Sequence, residues 1–94
     1  MTPAGRLAAA IDVLHEVLER HRPVRAALKA WGDQARFAGS KDRAFVSGLV
    51  LDGLRRRRSL EWMMRAEGPR PLALAVLRFA WGWPQDEVAA AAAI

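Results

Sequence analysis

Apolar residues recur at three- and four-residue spacing along most of this chain, and the pattern breaks at proline and glycine. Leu7, Ile11, Leu14 and Leu18 form the first stripe, flanked by Ala10 and Val17. Thr2-Pro3 precedes it: a side chain able to cap, then a proline where its missing N–H costs nothing. This predicts a helix to about Arg20, broken by His21-Arg22-Pro23. A second helix begins near Pro23, with Val24, Leu28 and Trp31 on one face and Ala27 beside them. Trp31 reads either as a core-edge residue or as a stacking platform for a base. Gly32 is expected to end or weaken this helix, and residues 33–39 form a connection containing Arg36 and Phe37.

Gly39-Ser40 marks the next start, with Ser40 as the cap and Asp42-Arg43 in the first turn. Asp42 suits the positive end of a helix. Arg43 stands where a Glu or Gln would complete a reciprocal capping box, which excludes that box around Ser40. The stripe Val46, Leu49, Val50, Gly53 and Leu54, with Phe45 at its border, then runs straight into Arg55-Arg56-Arg57-Arg58. A helical glycine costs about 1 kcal/mol against alanine. Gly53 lies in the stripe, so close approach of a neighbouring helix is expected to offset that cost. Ser59 caps a short helix from Leu60 to about Ala66, with Leu60, Met63 and Met64 inward and Trp62 on a flank.

Gly68-Pro69-Arg70-Pro71 is the clearest break, too short to separate two domains. Pro71 starts a helix whose Leu72, Ala75, Val76, Phe79 and Ala80 face the core. Trp81-Gly82-Trp83-Pro84 ends it, and its two tryptophans read as corner anchors or as a binding pair. The alanine-rich tail from Gln85 to Ile94 is compatible with a final helix of small volume. The whole, residues 1–94, is expected to be one all-α domain of five or six helices without a sheet. Its predicted core is Leu7, Ile11, Leu14, Leu18, Leu28, Val46, Leu49, Val50, Leu54, Leu72, Val76 and Phe79.

Composition supports that reading. Apolar residues make up 52% of the chain, which argues against disorder, and tyrosine is absent. The net charge is +5, and its distribution says more than its total. Residues 35–70 hold nine basic and four acidic side chains, whereas residues 71–94 hold one and two. Such asymmetry suits either an anionic partner such as nucleic acid or a solubilising surface. The arginine run is likewise either a charged helix stop or a phosphate-contacting edge.

The chain contains no cysteine, which removes disulfides and thiolate chemistry, and His15 and His21 are too few for a metal centre. No metal and no cofactor are expected. No GxGxxG or GxxxxGK pattern occurs. No long uncharged apolar run predicts a membrane span, Asp12, Glu16 and Glu19 interrupt any signal-peptide pattern, and a cytoplasmic location is expected. No catalytic grouping is evident, so any function is expected to pass through the basic residues.

Residues 39–60, GSKDRAFVSGLVLDGLRRRRSL, resemble the central helix of the NusB-like family. The closer likeness is to the N-terminal domain of rRNA cytosine-C5 methyltransferases of the RsmB (Fmu/Sun) type. Asp42-Arg43 and Leu54-Arg55 fit the pattern of that helix, and Thr2-Pro3, Arg6, Ala9-Ala10 and Val13-Leu14 fit the family's first helix. The likeness covers roughly residues 1–83, and residues 84–94 depart from it. The resemblance implies an all-helical NusB-like bundle, truncated at its C-terminus. It also implies an RNA-contacting surface at Arg6, Lys41, Arg43, Arg55, Arg56, Arg57 and Arg58. Arg43 has an equal alternative as a structural residue paired with an acidic group. By the same resemblance the chain is a fragment, an accessory domain or a stand-alone relative. It would position rRNA for a separate S-adenosylmethionine-dependent methyltransferase domain of the same polypeptide, absent here, and would not itself transfer a methyl group. The alternative is a NusB-type protein-interaction module in transcription antitermination.

Overall fold

Thr2 starts the first helix as its sequence dictates. In the computed structural model, which describes residues 1–93, its Oγ1 accepts the Gly5 N–H at 3.0 Å and Pro3 occupies the first helical position. Helix α1 (Pro3–Leu18) closes two residues earlier than the pattern predicts. His21 adopts a left-handed conformation, φ 56°, and the Arg22 N–H turns back to the Glu16 carbonyl at 3.1 Å. Histidine is among the residues that tolerate this geometry.

Helices α2 (Val24–Gln34), α3 (Ser40–Arg55) and α4 (Arg57–Met64) follow, then α5 (Pro69–Ala75) and α6 (Gln85–Ala92). The fold is all-α, with six helices and no strand among the described residues. Helix α1 packs against α2, α3, α5 and α6, while α5 also meets α3 and α4. Leu7, Leu14, Val46, Leu49, Val50, Leu60, Leu72, Val76 and Leu77 are fully buried where these helices meet. Ile11, Leu18, Leu28 and Leu54 pack against that core half-buried.

Four departures from the sequence pattern have local causes. Gly32 lies inside α2 rather than at its end, because the room left by its missing side chain admits the Arg43 guanidinium: a Cβ there would stand 2.8 Å from Nη1. Helix α3 is capped one residue early, at Gly39, so Asp42 takes the third helical position and its Oδ2 accepts the Gly39 N–H at 3.0 Å. Glycine has no side chain to return the bond, so only half of the reciprocal box forms.

The arginine run does not end a helix and then give way to a cap at Ser59. Helix α3 stops at Arg55, Arg56 bends the chain (φ −115°, ψ 25°), and α4 starts at Arg57. Ser59 is therefore inside α4, and Met63 faces outward with Trp62. Finally, α5 runs on into a π turn, Val76–Ala80, in which the Trp81 N–H reaches the Val76 carbonyl at 2.8 Å. The wider turn carries later residues through smaller angles than an α-helix does. Leu77 is fully buried as a result, and Phe79, predicted for the core, is 41% exposed.

Gly53 bears out the close approach. A Cβ on it would lie 3.2 Å from Val76 Cγ2 and 3.5 Å from Leu72 Cγ, so α3 and α5 touch backbone to side chain at this level. The two tryptophans anchor the corner after α5. Trp81 donates its indole N–H to Asp52 Oδ2 at 2.8 Å and meets the Phe45 ring edge-on at 5.2 Å, while Trp83 lies 6.0 Å from the same ring. The corner therefore links the end of the π turn to the outer side of α3.

Leu49, fully buried on α3, reports this packing directly. Leu49→Ala should lower the unfolding free energy by about 2–5 kcal/mol. Urea denaturation checks it, and a loss below about 1 kcal/mol would mean that the α3 face is misassigned.

Candidate nucleic-acid interface

The seven basic residues singled out from the sequence fall into two groups at opposite ends of α3. Arg6, Lys41 and Arg43 gather at its N-terminal end, and Arg55–Arg58 at its C-terminal end. From Lys41 to Arg55 the helix rises roughly 21 Å at about 1.5 Å per residue. The structure therefore does not form one basic surface from them.

At the N-terminal end two of the three cations are engaged inside the protein. Arg6 Nε donates to Asp42 Oδ1 at 2.7 Å, and its guanidinium stands over the Phe45 ring, 5.6 Å from the centroid. Asp42 is only 6% exposed. It also accepts the Gly39 N–H and faces the terminal ammonium of Met1 at 3.5 Å. The Gly39 N–H first, then Arg6 and the ammonium, hold its carboxyl below the usual carboxylate range.

Arg43 is half-buried and its partners are carbonyls, not an acidic group. Nη2 donates to Gly32 and Ala35, each at 3.1 Å, and Nε donates to Ala38 at 3.2 Å. These are the carbonyls left over at the end of α2 and in the turn after it, where a cation is favourable. Lys41 remains exposed, as do Arg36 and Phe37 of the α2–α3 connection.

The C-terminal end is different. All four arginines of the run are exposed. Arg55 pairs with Asp52, three residues back, and Arg57 Nε reaches Glu61 Oε1 at 3.3 Å. Asp52 is held low chiefly by the Trp81 indole N–H, with Arg55 adding to the effect. Arg56 and Arg58 make no ion pair among the described residues.

Two further residues complete this corner. Trp62, four residues after Arg58 and so on the same face of α4, is 80% exposed. Arg65, left-handed at the end of α4, lines a surface hollow together with Arg58 and Trp62. The sequence reading left Trp62 on a flank and passed over Arg65. The i, i+4 spacing of Arg58 and Trp62 was the available signal, but it required the true start of α4.

Elsewhere, a cleft of about 330 Å³ between α1 and α2 is lined by His15, Glu16, Arg22, Trp31 and Gln34 among others. A hydrogen bond from Arg22 depresses the Glu16 carboxyl, with Arg20 assisting. The described residues contain no cluster of three or more metal-ligating side chains, and no helix long and apolar enough to cross a membrane. No protein-family model, curated protein or solved structure matches this chain.

The Asp42 geometry fixes a pH dependence. Because its folded pKa lies below the unfolded one, its contribution to stability is complete above pH about 4. It disappears as pH falls through the folded value. Asp42→Asn should therefore be less stable than the parent at pH 7, and the two should converge only in acid, once pH has fallen through the folded value below the ordinary aspartate range. Thermal melts from neutral pH into acid measure the gap. A gap independent of pH would mean that the carboxylate charge contributes nothing.

Proposed function

We propose that this chain is a non-catalytic RNA-binding domain whose binding surface is the corner between α3 and α4. The observation that carries the proposal is the state of the arginine run: four exposed guanidinium groups at a helix junction, with Arg56 and Arg58 in no ion pair among the described residues, Arg56 acting on Asp52 only through its charge. A cation already paired to a neighbouring carboxylate gives up that partner to bind phosphate, whereas an unpaired one releases only water and counterions. Arg55 and Arg57, paired but exposed, sit at the edges of the same surface.

Contacts of this kind supply affinity and orientation with little sequence reading. That is the task of an accessory domain which holds an RNA while another domain acts on it. Together with the resemblance of residues 39–60 to the NusB-like domain of rRNA cytosine-C5 methyltransferases, it gives the specific form of the proposal. The chain binds rRNA and presents it to an S-adenosylmethionine-dependent methyltransferase domain. Of the residues that the resemblance assigns to RNA, Arg55–Arg58 carry the proposed contact. Lys41 is free to add a weaker one, and Arg6 and Arg43 act by holding the helices in place.

A second surface favours a protein partner as the competing reading. Met64, Leu74, Phe79, Val88 and Ala89 line an apolar hollow of about 440 Å³ between α4, the π turn and α6, with Arg78 and Gln85 also on it. An exposed aromatic over such a hollow is the kind of anchor that centres protein interfaces. In that reading the chain is an interaction module of the NusB type, and the arginines serve solubility and helix termination.

Salt dependence separates the two. RNA binding through phosphates should weaken as salt rises, with a log–log slope of about −0.7 per contact on a single strand. Changing Arg56 and Arg58 together to Gln should flatten that slope by about 1.4 and leave thermal stability nearly unchanged, since both side chains are exposed. Fluorescence anisotropy with a labelled oligonucleotide from 50 to 300 mM salt, about the range over which such contacts are lost, is the measurement. A salt-independent curve, or an unaltered slope in the double variant, favours the protein-interaction module.

A further inference from the structure

Trp62 is the one tryptophan that the fold leaves in water. Trp31, Trp81 and Trp83 are half-buried, and Trp81 and Trp83 pack against Phe45. Trp62 is 80% exposed, and no other aromatic ring or cation covers either of its faces among the described residues. A side chain this large is normally placed where its apolar area can be covered. Nothing in α4 requires an aromatic residue there, because Leu60, with the half-buried Met64, anchors that helix in the core.

The surroundings indicate what covers it. Hollows open on two sides of the ring. One is lined by Arg58, Glu61, Arg65, Ala66 and Glu67, the other by Arg58, Ser59 and Met63. Arg58 borders both. Glu61 is turned inward: its side chain is 12% exposed, bonded by Arg57 at 3.3 Å and by the Gly68 N–H at 3.4 Å. The charge left facing outward is that of Arg58 and Arg65, opposed only by Glu67 on the rim.

Building on the RNA-binding reading above, we infer that Trp62 is a stacking platform for an unpaired base, with Arg58 and Arg65 taking the phosphates on either side of it. The substrate class is then single-stranded or looped RNA rather than a duplex. The geometry decides between these forms. Trp62 offers an uncovered ring on α4, and a base paired within an A-form duplex keeps both faces stacked and cannot lie on such a ring. An unpaired base presents a free face, and any of the four can stack, so the contact adds affinity without much sequence preference. A protein helix docking on Trp62 and Met63 would find the same ring, but it would have to neutralise Arg58 and Arg65, which a phosphate backbone does by its nature.

Four proteins distinguish the outcomes: the parent chain, Trp62→Ala, Trp62→Phe and Glu67→Gln. Each is titrated by anisotropy with a single-stranded RNA decamer and with the blunt duplex it forms with its complement, a stem without a loop. The single strand should bind at least about tenfold more tightly than the stem. Trp62→Ala should lose about tenfold or more on the single strand and less than about twofold on the stem, while Trp62→Phe keeps most of the affinity. The salt slope should survive in Trp62→Ala, because the phosphate contacts are intact, and Glu67→Gln should bind more tightly than the parent. Melting temperatures should not move, since the ring is exposed. Binding of the single strand within twofold of the parent in Trp62→Ala, or equal affinity for strand and stem, overturns the inference. If that result comes with a steep salt slope, the arginine corner still stands as an RNA surface. If no RNA binds at all, both readings fall.

Discussion

Asp42 and Arg43, adjacent in the chain, tie the first three helices together at a single point. Asp42 draws the start of α1 onto α3 through Arg6 and the terminal ammonium, and it caps its own helix through the Gly39 N–H. Arg43 reaches the other way and satisfies three carbonyls at and beyond the end of α2. Hydrogen bonds from a charged donor are each worth about 1.5–3 kcal/mol, more than a neutral pair. Losing the guanidinium would also leave the Gly32 and Ala38 carbonyls short of a donor, while Ala35 keeps the Ala38 N–H. A side chain on Gly32 would push against the same guanidinium, which is why α2 carries a glycine in its last turn.

That joint has a functional consequence. It occupies two of the cations that cluster at one end of α3, so the freely available positive charge is displaced to the other end. There the helix breaks within the arginine run itself. Arg55 and Arg56 sit at the negative end of α3, where cations are favoured. Arg57 and Arg58 open α4, at the positive end of its dipole and with no acidic residue in its first turn, where cations are disfavoured. Only the Arg57–Glu61 pair offsets this. Helix termination accounts for the first two arginines and not for the second two. The proposed anion-binding surface would account for all four.

Much of the fold was legible because its signals are local. The Thr2-Pro3 cap, the stripe of α3 and the corner at Gly68 each depend on residues close in sequence, and Gly53 marked a close approach without showing that Leu72 and Val76 make it. The misread features depend on something else. No glycine or proline marks the bend at Arg56, so four identical residues gave no indication of where one helix ends and the next begins. That error moved the start of α4 by three residues and turned Met63 the wrong way. The π turn keeps the apolar spacing of an α-helix while changing the angle per residue, which hid the exposure of Phe79. At the site, the arginine run was visible as charge alone. The engagement of Arg6 was not, because its partner lies 36 residues away. Arg43 was weighed as a structural residue, but with an acidic partner in view rather than carbonyls.

The proposed function divides labour along α3, with internal ion pairing and carbonyl capping at its start and an anion-binding surface at its end. Amide chemical shifts of the ¹⁵N-labelled chain, followed during titration with a short single-stranded RNA, test it most directly. The account predicts progressive shifts confined to residues 55–66, with the amides of Gly39, Asp42 and Arg43 essentially still. Shifts centred on residues 36–43 with a silent arginine corner would contradict it.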